Sequence, residues 1–107
     1  MFDFKKLTND LIEAKEAARL AMTGDDGGTA NLDCMTLALP RLNKEKVVGA
    51  VKEAGLYTRG KRDWIGKRYF LNVPYGCQGN DRCRQVKAMC EVMKNKGYNV
   101  LMFCKMN

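Results

Sequence analysis

The order of the structured segments is the feature of this sequence that most constrains its fold. Apolar residues at spacings of three and four predict an amphipathic helix over residues 3–22. Beyond residue 32, short apolar runs and two further helical patterns follow in the order strand, helix, strand, strand, helix, strand. This is the split βαβ pattern of ferredoxin-like folds. We therefore expect an α+β protein: an N-terminal helix followed by a ferredoxin-like β-α-β-β-α-β antiparallel sheet with helices on one face.

Turn and capping residues give the expected bounds of these segments. Helices are predicted at 44–54 and 81–96, strands at 33–39, 56–59, 66–73 and 98–104, and a polar turn at 60–65. The first and third strands should be central in the sheet. The N-terminal helix could cover the other sheet face, extend away, or mediate dimerisation.

The length of 107 residues fits one domain, 1–107, made of an N-terminal helix (1–23) and an α+β core (33–105). No apolar run is long enough for a membrane helix, and the N-terminus has no basic-then-apolar signal. We therefore expect a cytoplasmic protein with no membrane partner. An odd number of cysteines, five, fits free thiols in a reducing compartment.

The positive charge is concentrated in the C-terminal part of the chain. The formal net charge is +7, and residues 44–107 carry 14 basic against 5 acidic side chains. This distribution favours an anionic partner, such as nucleic acid, a nucleoprotein or an acidic protein face. Solubility alone is the alternative explanation.

A basic and aromatic segment, residues 57–69, is the first candidate binding site. Arginine and lysine could contact phosphates while aromatic rings stack on bases, and the same composition suits a protein–protein hot spot. A plain hairpin with solvated charges is the alternative. The candidate partner-binding residues are Arg59, Lys61, Arg62, Trp64, Lys67, Arg68 and Tyr69.

A second candidate is the glycine-containing loop that leads into the last helix. Free N–H groups at a helix start favour an anion, and two arginines follow closely. The candidate anion-binding residues are Gly79, Asn80, Arg82 and Arg84. Asp81 lies in the first turn and could satisfy the same amides itself, which would make this an ordinary strand-to-helix turn.

The sequence offers few of the residues that catalysis or metal binding requires. It contains no histidine, so neither a Cys–His pair nor an imidazole base is present. Cys83 and Cys90 are seven residues apart, which is core spacing on a helix, and no CxxC pair occurs. Cys77, in a loop near Arg82, is the thiol most open to activation. We expect no enzyme activity, no cofactor and no metal.

Three loop patterns carry a resemblance to known proteins. They are Asp26-Gly27-Gly28-Thr29-Ala30-Asn31-Leu32-Asp33, Gly79-Asn80-Asp81-Arg82 and Gly97-Tyr98-Asn99. Through them, residues 24–107 resemble a group of small orphan proteins of bacteriophages and mobile elements. The resemblance implies a phage accessory protein, and such proteins are often inhibitors of host defence, anti-CRISPR proteins included.

The leading expectation is therefore a phage-encoded, non-catalytic inhibitor of a host defence system, with a CRISPR–Cas effector among the possible targets. It would act by steric occlusion through a basic and aromatic surface that contacts a host protein or ribonucleoprotein. The runner-up is a small phage DNA- or RNA-binding module. The third possibility is an oligomeric structural or assembly protein that uses Phe4, Leu7 and Leu11 of the N-terminal helix.

Overall fold

The computed structural model describes residues 1–25, 27–76 and 79–105 of the chain. It confirms an α+β protein with an N-terminal helix, a four-stranded antiparallel sheet and two further helices. The elements are α1 (Phe4–Ala21), β1 (Cys34–Ala38), α2 (Lys44–Glu53), β2 (Thr58–Trp64), β3 (Gly66–Leu71), α3 (Gly79–Asn95) and β4 (Asn99–Phe103). Apart from β2, their bounds lie within two residues of those predicted from the sequence.

The sheet has the strand order β2-β3-β1-β4, and every neighbouring pair is antiparallel. β1 and β3 are therefore central, as the sequence predicted. Met35 of β1 lies opposite Leu71 on one side and Met102 on the other. Because side chains alternate along a strand, these three residues share one sheet face. Phe70 and Phe103, their neighbours along the chain, face the opposite side.

α2 and α3 cover the face that carries Met35 and Leu71, and α1 packs against both helices. The buried side of α1 consists of residues spaced by four, three and four positions, which is one stripe of a helix. Its members, all fully buried, are Leu7, Leu11, Ala14 and Ala18. The structure therefore has α1 neither on the other sheet face nor extended away, but on the helical side, packed on α2 and α3 as part of the core.

The predicted polar turn at 60–65 is wrong, because residues 60–64 belong to β2. The error arose at Gly60, which adopts a positive φ of 95° inside the strand. Thr58 pairs with Leu71 and Lys61 with Tyr69, so β2 has one extra residue over this span. This arrangement is a β-bulge, in which glycine tolerates the positive φ.

Within the described ranges, no helix combines the length and the hydropathy that a membrane span requires.

Candidate binding face

The bulge at Gly60 decides which side chains of β2 reach the sheet face that lies away from the helices. After the extra residue, Arg62 pairs with Arg68 and Trp64 with Gly66, on the same side as Phe70. No described helix packs on that side of the sheet. β2 therefore presents one arginine and the only tryptophan of the chain on an open face.

Three aromatic rings from three strands meet on this open face. The ring centroid of Trp64 lies 5.1 Å from that of Phe103 and 6.0 Å from that of Phe70, and the two phenylalanines are 5.2 Å apart. All three pairs are edge-to-face, the geometry that aromatic quadrupoles prefer. Phe70 is only 5% exposed, whereas Trp64 is 40% exposed. Phe70 therefore supports the cluster, and Trp64 offers ring surface to a partner.

Basic side chains surround a small cavity beside these rings, with a volume of about 140 Å³. Four of its lining residues are basic, and none of the described residues that line it is acidic. They are Arg59 and Arg62 of β2, Arg82 of α3, and Lys105 after β4. We call these four, with Trp64 and Phe103, the basic-aromatic face.

Backbone and ring contacts hold two of the arginines in place. The Arg62 guanidinium lies 5.1 Å from the Phe70 ring centroid, a cation–π contact that sets its orientation. The Nε of Arg82 donates to the carbonyl of Asp33 at 2.9 Å, which leaves the terminal nitrogens directed elsewhere. Arg82 thereby joins the β2 arginines, so one arginine of the second predicted cluster meets two of the first at one cavity.

Cys34 of β1 also lines the cavity. Burial raises the pKa of its thiol, against the opposing effect of Arg82, Arg59 and Arg62. The thiol is therefore protonated near neutral pH, and it contributes a small apolar surface rather than a nucleophile. In α3, burial likewise raises the pKa of Cys90 to about 12.

Two predicted binding residues are inside the protein. Tyr69 is fully buried on the helical side of the sheet, where it belongs to the core. Arg68 is 3% exposed and its Nε donates to Oγ1 of Thr36 at 2.8 Å. One of its terminal nitrogens donates to the carbonyl of Asn99 at 2.9 Å, so this arginine links β3, β1 and β4. Neither side chain is accessible to a partner of the folded chain.

The remaining two residues predicted in this segment, Lys61 and Lys67, are exposed but lie away from the basic-aromatic face. They alternate with Arg62 and Arg68, so they point toward the helical side. The Lys61 ammonium lies 5.8 Å from the Tyr69 ring centroid and covers the edge of the core. Of the seven residues predicted here, Arg59, Arg62 and Trp64 belong to the face.

The start of α3 makes several contacts within the chain. The backbone N–H of Asn80 donates to the carbonyl of Gly27 at 2.8 Å. Arg84 donates to Asp81 at 2.8 Å and lies 3.4 Å from a carboxylate oxygen of Asp25. Gly79 is buried, and its carbonyl accepts from the side-chain amide of Asn31, in the loop between α1 and β1. Of the four predicted anion-binding residues, only Arg82 lines the basic cavity. Cys77, the thiol predicted to be most open to activation, lies outside the described residues.

Sequence reasoning missed Phe103 and Lys105. The available signal was that β4 has apolar residues on both of its faces, so one of them had to face away from the helices. The segment after β4 is held beside the cavity because the Lys105 N–H donates to Asp33 Oδ1 at 3.0 Å. The Leu32 N–H in turn donates to the Lys105 carbonyl at 2.7 Å, which continues the pairing of β1 with β4 beyond the strand ends.

The comparisons with known proteins add no relative: no family model, curated protein or solved structure matches the chain. In the part of the chain that the structure describes, no three Cys, Asp or Glu side chains are grouped so that they could hold a metal ion. The geometry of the basic-aromatic face is therefore the basis for assigning a function.

Proposed function

We propose that this chain is a non-catalytic binding protein that contacts an anionic partner through the basic-aromatic face. The observation that carries the proposal is the cavity, which is lined by four basic side chains and, among the described residues, by no carboxylate. A partly exposed tryptophan lies beside it. Like charges gathered around one cavity repel each other, and an anion bound there relieves that repulsion. Tryptophan and arginine are also the residues most often found at the energetic centre of an interface.

We further propose that the partner is a nucleoprotein complex of a host defence system, with CRISPR–Cas effectors among the candidates. The resemblance of residues 24–107 to phage and mobile-element proteins supports this partner. The chain would then act in the bacterial cytoplasm by occupying a surface that the complex needs. A simpler phage DNA- or RNA-binding module remains the alternative, and the same face would serve it.

We also propose that the core has ferredoxin-like connectivity. From the β4 edge the strand order reads β4-β1-β3-β2. The two strands joined through α2, β1 and β2, are separated by β3, and the two joined through α3, β3 and β4, are separated by β1, as in split βαβ units. This connectivity leaves one sheet face free of helices, which is the position of the basic-aromatic face.

A pull-down tests the proposed function. The tagged chain is incubated with bacterial lysate that contains candidate defence complexes, with and without nuclease. We expect a defence complex to be retained, and the double variant Arg59→Glu/Arg62→Glu to lose it. The matched control Lys52→Glu/Lys94→Glu changes the same charge at exposed positions of α2 and α3.

The comparison of the two double variants decides the result. If both retain the complex equally, the basic-aromatic face is not the binding surface. If both lose it equally, net charge rather than this face drives binding. Circular dichroism of each variant confirms that the fold is intact before the pull-downs are compared.

A further inference from the structure

We infer that the basic-aromatic face binds a single strand of nucleic acid, with one phosphate in the basic cavity and a neighbouring base stacked on Trp64. This inference rests on the proposed function and specifies which part of an anionic partner the face contacts. An acidic protein surface is the competing occupant.

The cavity has the charge and the size for a phosphate. Its volume of about 140 Å³ corresponds to roughly five water molecules, which suits a compact, partly hydrated anion. Arg59, Arg62 and Arg82 bring planar guanidinium groups, whose paired N–H donors match phosphate oxygens. Because Arg62 and Arg82 are already oriented by Phe70 and by the Asp33 carbonyl, binding orders them little further.

The aromatic cluster favours nucleic acid over an acidic protein surface. Carboxylates need only the basic groups, whereas a partner with phosphates and bases uses both parts of the face. Trp64 makes edge-to-face contacts with Phe70 and Phe103. These contacts fix the position of its ring while part of the residue stays exposed. A rigid ring beside arginines is a stacking platform for a base, and stacking tolerates any base sequence.

The platform selects single strands. A base can stack on Trp64 only when its own face is free, and in a duplex that face is covered by the neighbouring base pairs. The ring lies on a broad sheet face rather than on a projecting helix that could enter a groove. We therefore expect duplex binding to be weak and to come from phosphate contacts alone.

Binding at Trp64 can be followed by fluorescence, because Trp64 is the only tryptophan of the chain. The full chain is titrated with a single-stranded oligonucleotide of about 12 nucleotides, and the tryptophan fluorescence is recorded. We expect quenching by DNA and RNA single strands, and much weaker binding of the matching duplex. Inorganic phosphate, the probe for a free small anion, should compete at high concentration without quenching.

Substitutions separate stacking from charge. Trp64→Leu should weaken single-strand binding roughly 5- to 150-fold by fluorescence anisotropy, the range for loss of one stacked base. Ile65→Ala, at the adjacent residue that is 57% exposed, should leave binding unchanged. Arg62→Gln should reduce the dependence of log K on log salt by about 0.7, the value for one phosphate contact to a single strand.

The outcomes distinguish failure of the stacking inference from failure of the proposed function. Equal binding of duplex and single strand, or binding without quenching, overturns the stacking inference. Absence of oligonucleotide binding at about 50 mM salt also overturns it. If a nuclease-resistant complex is still retained in the pull-down and still lost in Arg59→Glu/Arg62→Glu, the proposed function stands and the partner is a protein surface. If the oligonucleotide does not bind and the pull-down retains no complex that depends on Arg59 and Arg62, both the stacking inference and the proposed function are overturned.

Discussion

At the scale of single residues, the Asp81 carboxylate joins the start of α3 to the segment after α1. One oxygen accepts from the N–H of Thr23 at 3.0 Å and from Arg84 at 2.8 Å; the other accepts from the N–H of Gly24 at 2.9 Å. The Thr23 N–H is the largest influence that lowers the pKa of Asp81, and Arg84 and Gly24 add to it. The folded state therefore prefers the ionised carboxylate.

We predict that Asp81→Asn destabilises the protein at neutral pH and much less under acid. Asparagine has only one acceptor oxygen. Its NH2 group would therefore face one of the N–H groups that the carboxylate accepts from, donor against donor. A carboxyl whose pKa is lowered on folding stabilises the protein above its unfolded pKa, near 3.9, and this contribution is lost as the pH falls through the lower folded pKa. The Tm difference between the two proteins should be constant above about pH 5 and shrink below pH 4.

Thermal unfolding followed by circular dichroism at a series of pH values measures this difference. Glu91→Gln, at an exposed position of the same helix, removes the same charge and is the matched control. A Tm difference for Asp81→Asn that stays equal from pH 7 to pH 2 would contradict the assignment. The sequence placed Asp81 in the first turn of a helix, but its two backbone partners, Thr23 and Gly24, lie 58 and 57 residues away, beyond the reach of a local pattern.

At the scale of elements, we predict that Gly60→Ala destabilises β2 and weakens partner binding together. A side chain at a φ of 95° is strained by about 1–2 kcal/mol, even though the nearest atom, from Lys44, is a comfortable 3.7 Å away. Moving the bulge would also change which β2 residues face the open side. Urea unfolding and binding are measured at a temperature where the variant is fully folded.

The matched control for this glycine is Gly49, which lies in α2 with nothing within 4 Å of an added Cβ. Gly49→Ala should stabilise the protein by about 0.5–1 kcal/mol, because alanine has a lower conformational entropy cost in a helix. It should not alter binding. Unchanged stability and unchanged binding in Gly60→Ala would mean that the bulge does not determine the face.

The bulge also shows where prediction from sequence reached its limit. Helices and three strands were predicted well, because their periodicity and capping residues are local; Asn43, for example, caps α2 by accepting from Lys46 N–H. Gly60 reads as a turn residue, since a positive φ serves turns and bulges alike. Once it was taken for a turn, the alternation of β2 was lost. Arg68 and Tyr69 of β3 were assigned to a binding surface from the basic and aromatic composition of the segment, which does not report burial. Phe103 enters the site only through the pairing of distant strands.

At the scale of the whole molecule, α1 is a part of the core rather than an addition to the sheet. It packs across α2 and α3, and Leu7 and Leu11 are fully buried there. With Phe4, which is partly buried against the same core, they are the residues through which an assembly function of the N-terminal helix was predicted to act. Their burial within one chain gives no support to an oligomer formed through them, and α1 contributes to the stability of the core.

We predict that Leu11→Ala lowers the free energy of unfolding by about 2–5 kcal/mol, the range for a large-to-small change in a packed core. Ile12→Ala, at the next position, removes a side chain that is 47% exposed and should cost less than about 0.5 kcal/mol. Urea unfolding gives both values, and light scattering gives the molecular mass. An assembly role for α1 requires a change of mass in the folded Leu11→Ala protein with little change in stability. A core role requires the loss of stability at an unchanged mass, which is the result that the packing of α1 on α2 and α3 leads us to expect.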